Sequence, residues 1–151
     1  VDGFKIKWPN DIYFREAKLA GILLENNIQK GSQSVIIGVG VNYHLEKEIS
    51  CDIPWIDLLK ICKKLPDIQQ LSASIISSIL SMSAYFKLNG LSDLLLQWDQ
   101  YDMLKGVNLK SIEFGKYFEG EVTGITSQGA LKVLTKNGTK ELYSSKNIEY
   151  I

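Results

Sequence analysis

Apolar and polar residues alternate through Phe4-Lys5-Ile6-Lys7-Trp8, the period of a half-buried β-strand, and Pro9-Asn10-Asp11 ends the run with turn residues. A short β-prone run, Ile12-Tyr13-Phe14, follows, and Arg15-Glu16-Ala17 reads as a hairpin turn. Residues 18–28 form a second long strand, closed by Gln29-Lys30-Gly31-Ser32. Residues 34–41 are almost continuously apolar, which predicts a central strand buried on both faces. Three long strands joined by such short turns predict an antiparallel meander.

The period then changes. Pro54-Trp55-Ile56-Asp57-Leu58-Leu59 predicts the start of a short helix that ends before Pro66. Leu71, Ile75, Ile79, Met82 and Phe86 recur at helical spacing, and Asn89-Gly90 supplies the usual left-handed stop. Residues 91–101 predict another helix, with Leu94, Leu95 and Trp98 on one face. Beyond Lys105-Gly106 the period is two. Short strands are expected at residues 107–109, 118–125, 130–134, 141–143 and 148–150. Between them stand Gly115, Ser127-Gln128-Gly129 and Lys136-Asn137-Gly138, the Asn-Gly pair being a strong hairpin signal. Five short strands in some 45 residues predict a small SH3-like barrel. The expected class is α+β: a mainly antiparallel sheet with packed helices over residues 1–103, then the barrel over residues 104–151.

Composition narrows the function. The chain has 151 residues, 45 % hydrophobic and 23 % charged, in the range of globular domains. Formal net charge is zero, and residues 1–50 hold six basic and six acidic side chains, so no basic patch points to nucleic acid. No segment approaches the ~20 apolar residues a membrane helix needs, and no signal peptide is seen. Cys51 and Cys62 have no partners at metal spacing, and the lone His44 completes neither a zinc site nor a nucleophile pair. Both thiols are expected to be buried or half-buried in a cytoplasmic protein. The chain opens at Val1, directly ahead of a strand, and is expected to be a piece of a longer protein.

Three motifs carry candidate chemistry: Lys7-Trp8-Pro9-Asn10-Asp11, Lys18-Leu19-Ala20-Gly21-Ile22-Leu23, and Ile36-Ile37-Gly38-Val39-Gly40-Val41-Asn42. Lys7 and Lys18 either point to solvent or form a pair of cations at one sheet end, suited to a phosphate and a carboxylate. Asn10-Asp11 either makes a turn or sets Asp11 beside a phosphate-bound Mg²⁺. Gly38 and Gly40 interrupt an apolar strand, which calls for a bulge or a closely approaching ligand. Asn42 either forms a turn or reads an adenine edge.

As an ordered set the three motifs resemble biotin protein ligases. The resemblance extends through Trp98-Asp99-Gln100-Tyr101-Asp102, Lys105-Gly106, Glu119-Gly120 and Gln128-Gly129-Ala130-Leu131. It implies a class II synthetase-like core that makes biotinyl-AMP from biotin and ATP with Mg²⁺, then passes biotin to a lysine of a carboxylase's carrier domain. By position it implies Lys18 on the biotin carboxylate and α-phosphate, and Lys7, Asn10, Asp11 and Asn42 on the nucleotide. Gly21, Leu23, Gly38, Val39 and Val41 would line the biotin pocket. The family also carries an arginine-rich loop upstream of these strands. Arg15 is the one arginine here, so that loop is expected to be absent and the piece inactive alone. A lipoate-ligase relative and a non-catalytic binding module of the same fold are the alternatives.

Overall fold

The computed structural model describes residues 2–29, 31–46, 52–113 and 115–151. The chain divides into two compact units, Val1–Leu65 and Pro66–Ile151.

In the first unit, β1 (Phe4–Lys7), β2 (Asp11–Phe14), β3 (Ala17–Gln29) and β4 (Ser32–Val41) form a wholly antiparallel meander in that order. The short run at residues 12–14 is thus a fourth strand. Among the described residues of this unit, Trp8, Tyr13, Leu19 and Ala20 are the buried apolar side chains. Phe4 and Phe14 meet edge to face across the first hairpin, ring centroids 5.1 Å apart.

Two expectations are corrected here. First, β4 lies at the sheet edge rather than the centre. β2 pairs with β3 only as far as Gly21, so the remainder of β3 and most of β4 extend as a two-stranded ribbon. Its Leu24, Val35 and Ile36 are more than half exposed. An apolar run reports what a strand must bury, not which neighbours cover it. Second, the segment from Pro54 to Asp57 is not helical. Lys18 N donates to Pro54 O and Ile56 N donates to Lys18 O, a parallel bridge to β3. The helix α1 (Leu58–Ile61) begins only after Asp57, whose carboxylate accepts from Lys60 N. Cys62 is half-buried and unpaired, while Cys51 lies outside the described residues.

The second unit opens with α2 (Ile68–Asn89), capped by the Asp67 carboxylate and stopped at Gly90 (φ 68°). The first three stripe positions, Leu71, Ile75 and Ile79, are half-buried, while Met82 and Phe86 are exposed. The polar residues of α2 are Ser, Gln and Asn, with Lys87 its one charge. Mean hydropathy therefore reaches 1.3 over a window of this 22-residue helix, which is long and apolar enough to cross a membrane by length and composition. The expectation that no segment approaches that limit is corrected. A 3₁₀ turn (Ser92–Leu94) and α3 (Leu95–Tyr101) replace the single helix expected across residues 91–101. Five antiparallel strands follow: β5 (Asn108–Glu113), β6 (Lys116–Ile125), β7 (Leu131–Thr135), β8 (Gly138–Leu142) and β9 (Ile148–Tyr150). Their order is β8-β7-β6-β5-β9, and Leu109, Val122, Leu131 and Val133 are fully buried between them. Gly120 on β6 is fixed by packing, since a Cβ there would lie 2.7 Å from Val133 Cγ1. The α+β class is as expected.

Candidate functional site

One rung of the first sheet crosses all four strands. Lys7 pairs with Asp11, Asp11 with Gly21, and Gly21 with Gly40. Lys18 joins this rung through a β-bulge. The β2–β3 register shifts between Ile12↔Ala20 and Tyr13↔Lys18, leaving Leu19 as the extra residue. Strict alternation would send Lys18 to the face opposite Gly21, three positions away. The bulge re-aims it, a common use of bulges beside binding sites. Its Nζ then lies 2.7 Å from Asp11 Oδ1, with both side chains partly exposed.

Gly21 makes room for that ion pair. A Cβ at this position would lie 3.1 Å from Asp11 Oδ1 and 3.6 Å from Lys18 Nζ. Tyr13 is buried beside the pair. Burial and the Asp11 charge push its hydroxyl pKa up, Lys18 partly opposing, so it stays neutral at neutral pH. Lys7 Nζ sits 5.6 Å from the centre of the Tyr13 ring. The hairpin therefore gathers both lysines around Asp11. Asn10 fastens the turn to β3: its Nδ2 donates to Ile22 O, and its own carbonyl accepts from Ile22 N.

Beside the rung opens a cavity of about 530 Å³, lined by Lys18, Ala20, Gly21, Gly40, Val41, Asn42, Leu45, Ile53 and Trp55. Asn42 is its corner. The side-chain amide donates to Lys18 O (3.1 Å) and to Ile56 O (3.2 Å). Its backbone N donates to Leu19 O and its carbonyl accepts from Leu58 N. With both amide hydrogens so used, Asn42 can meet a ligand only through Oδ1, as an acceptor. Asp57 holds the far wall: its buried carboxylate accepts from Leu45 N and from Lys60 N, each 3.0 Å. Burial opposes its ionisation. The two N–H bonds, with the Lys60 and His44 charges, more than offset this and hold its pKa below the ordinary aspartate value.

Among the described residues, nothing packs against the faces of Gly38 and Gly40 closely enough to require glycine. The β3–β4 register runs unbroken from Ala20↔Val41 to Gln29↔Ser32, which excludes a bulge there. Neither glycine has a positive φ. Among the described residues, a Cβ at Gly38 would meet nothing nearer than Leu23 O at 3.8 Å, and at Gly40 nothing nearer than Gly21 O at 4.0 Å. The pair leaves clearance on one face of the sheet, with Leu23 of the next rung beside Gly38. Val39 and Val41 point to the other face, though Val41 still lines the cavity at the sheet's end. Lys7, Asn10, Asp11, Leu23, Gly38 and Val39 flank the cavity rather than line it. A cleft of about 560 Å³ on the second unit, with Phe118 and Lys140 among its walls, contains none of these residues.

Residues 3–42 match the biotin/lipoate A/B protein ligase family, and residues 105–146 match the biotin protein ligase C-terminal domain. The chain thus carries a biotin/lipoate A/B protein ligase domain followed by a biotin protein ligase C-terminal domain. It is 33 % identical over 134 residues to the bifunctional ligase/repressor BirA of Escherichia coli, covering 87 % of this chain and 41 % of that protein. The corresponding Bacillus subtilis protein is 30 % identical over 153 residues, covering 93 % and 44 %. The chain thus spans about two-fifths of the length of these curated relatives. The biotin protein ligase of Aquifex aeolicus superposes with a TM-score of 0.79 at 25 % identity, covering 98 % of this chain and 64 % of that one. The same enzyme in complex with biotin and ATP gives 0.78 at 26 % identity, covering 98 % and 62 %.

Leu45, Ile53 and Trp55 line this cavity and Asp57 braces it through Leu45, and sequence reasoning assigns none of the four. Their signal misleads: Pro54-Trp55-Ile56 looks like a helix opening when its bridge to Lys18 is out of view. Asp57 ahead of Leu58-Leu59 is a recognisable cap. Its second bond, to Leu45, has no local signature.

Proposed function

We propose that the cavity beside the Lys7–Asp11–Gly21–Gly40 rung is the biotin and adenylate pocket of a cytoplasmic biotin protein ligase. The observation that carries this reading is the Gly38/Gly40 clearance beside a re-aimed lysine. No described residue fills the space over either glycine, whereas a ligand lying against the strand needs both clear. In this reading Gly21, Leu23 and Gly38 form the biotin side with Gly40, Val41 closes its end, and Val39, whose side chain points to the other face, contributes backbone alone. Lys7, Asn10, Asp11 and Asn42 serve the nucleotide, and Trp55 offers a flat wall for its base. Domain boundaries at residues 1–103 and 104–151 and an SH3-like closure of the second sheet belong to the same reading.

The chemistry needs no protein nucleophile. The biotin carboxylate oxygen attacks the α-phosphorus of ATP, forming the mixed anhydride and releasing pyrophosphate. A lysine amine of a carboxylase carrier domain then attacks the biotinyl carbonyl, and AMP leaves. Lys18 neutralises the carboxylate and the α-phosphate as they approach, in a site whose fixed cation needs little reorganisation. Asp11 holds Lys18 in place, and the strand-borne pocket positions the reactants. No group of three or more metal-ligating side chains occurs among the described residues. Mg²⁺ would therefore arrive on phosphate oxygens, with Asp11 as its carboxylate. The word repressor belongs to the relatives' names; the even charge of this chain supports no nucleic-acid contact by these residues.

Biotin is favoured over lipoate because residues 105–146 match a domain named for biotin ligases. Pyrophosphate release by the full-length protein with ATP and either acid tests this. Release with biotin and an acceptor carrier is the expected result; release with lipoate alone would move the protein to the lipoate branch, and release with neither would leave a binding module.

A further inference from the structure

Trp55 stands between two clefts. It lines the 530 Å³ cavity, while Lys60 lines a neighbouring cleft of about 420 Å³ with Arg15, Pro54 and Ile56. Lys60 Nζ sits over the Trp55 ring, 4.6 Å from its centre. We infer that Lys60 is a positioning residue for the Trp55 wall, and that it sets that wall for a planar, electron-rich base. The inference rests on the nucleotide reading above.

The sequence builds this contact in steps. Asn42 ties Ile56 to Lys18, and the Lys18–Trp55 bridge fixes the backbone on both sides of the indole. The indole extends from this fixed backbone, and Lys60 is the cation over its face. Asp57 caps α1 by accepting from Lys60 N, which fixes the Lys60 backbone, and the Lys60 Nζ lies over the indole. An ammonium over an indole face is attracted by the ring quadrupole, most strongly for tryptophan. With one face engaged by a cation, the ring draws in electron density and its remaining surface disfavours a second cation. A neutral purine gains from such a surface, so the wall discriminates by class of ligand as well as by shape.

The test uses the full-length protein labelled with 5-fluorotryptophan, the Trp55 resonance being assigned with Trp55→Phe. Lys60→Met is expected to shift that resonance and to weaken both ATP and adenosine by about two- to five-fold, leaving biotin affinity unchanged. Lys60→Arg, which keeps a cation over the ring, is expected to restore both. Weakening of ATP with adenosine unaffected would overturn the inference, since Lys60 would then act on phosphate directly. So would an unmoved Trp55 resonance with unchanged affinities, or failure of arginine to rescue. Absence of ATP binding by the unmodified protein contradicts the functional reading itself, whereas ATP binding indifferent to Lys60→Met contradicts this inference alone.

Discussion

Lys18, Asp11 and Gly21 form a unit of three, in which each residue type depends on the others. The lysine reaches the rung only because Leu19 bulges, and the ion pair fits only because Gly21 has no side chain. Lys18→Ala in a full-length ligase should lose charge-assisted contacts of about 1.5–3 kcal/mol, roughly ten- to a hundred-fold in adenylate formation. Thermal stability should change little, because the pair is partly exposed. Pyrophosphate release equal to the unmodified enzyme would return Lys18 to the status of a surface residue. Asp57 makes a different prediction. Its folded pKa lies below its unfolded one, so its contribution to stability is complete above the unfolded value and is lost as pH falls through the folded value. The urea midpoint should drop below about pH 4, and Asp57→Asn should show a smaller drop across that window; equal drops would contradict the assignment. At this scale the sequence is legible where chemistry is local. Lysine, carboxylate and glycine can be picked out as types. The bulge cannot, because it depends on β2 pairing eight positions away.

Elements show the same division. Alternation places β1, β3 and all five strands of the second sheet, and the Asn137-Gly138 hairpin lies where its turn chemistry sets it (Gly138 φ 109°). The stripe on α2 is readable, and its half-buried positions are Leu71, Ile75 and Ile79. What fails is environment: β4 reads as central by its apolar run and lies at an edge. Pro54-Trp55-Ile56 reads as helical and bridges a strand. Both depend on neighbours remote in sequence. Gly120 illustrates an element-level constraint that a sequence shows only as a small residue. Its φ is ordinary, so the cost of a side chain there is steric alone. Gly120→Ala should destabilise the five-stranded unit by about 1–3 kcal/mol, read as a lowered urea midpoint with an unchanged slope. An unchanged midpoint would mean that β6 and β7 part without cost.

At the scale of the molecule, the chain spans about two-fifths of the curated relatives it matches, and its candidate pocket is open along a ribbon with exposed Leu23, Leu24, Val35 and Ile36. Such apolar exposure on a strand pair is more than a small domain ordinarily leaves bare. The 151-residue chain by itself should therefore not ligate biotin: an adenylate held on one side would escape or hydrolyse. A biotinylation assay with acceptor protein checks this, and turnover near that of a full-length ligase would show that these residues suffice.

In the proposed function, biotin lies on the Gly38/Gly40 face, next to Lys18. Isothermal titration of biotin into the full-length protein and its Gly40→Val variant tests it most directly. Valine suits a β-strand better than glycine does, and among the described residues a Cβ at Gly40 has no neighbour nearer than 4.0 Å. The expected result is an unchanged or slightly altered melting temperature together with collapse of biotin binding. Biotin affinity undiminished in a folded Gly40→Val protein would contradict it, because the space that valine fills would then be space no ligand uses.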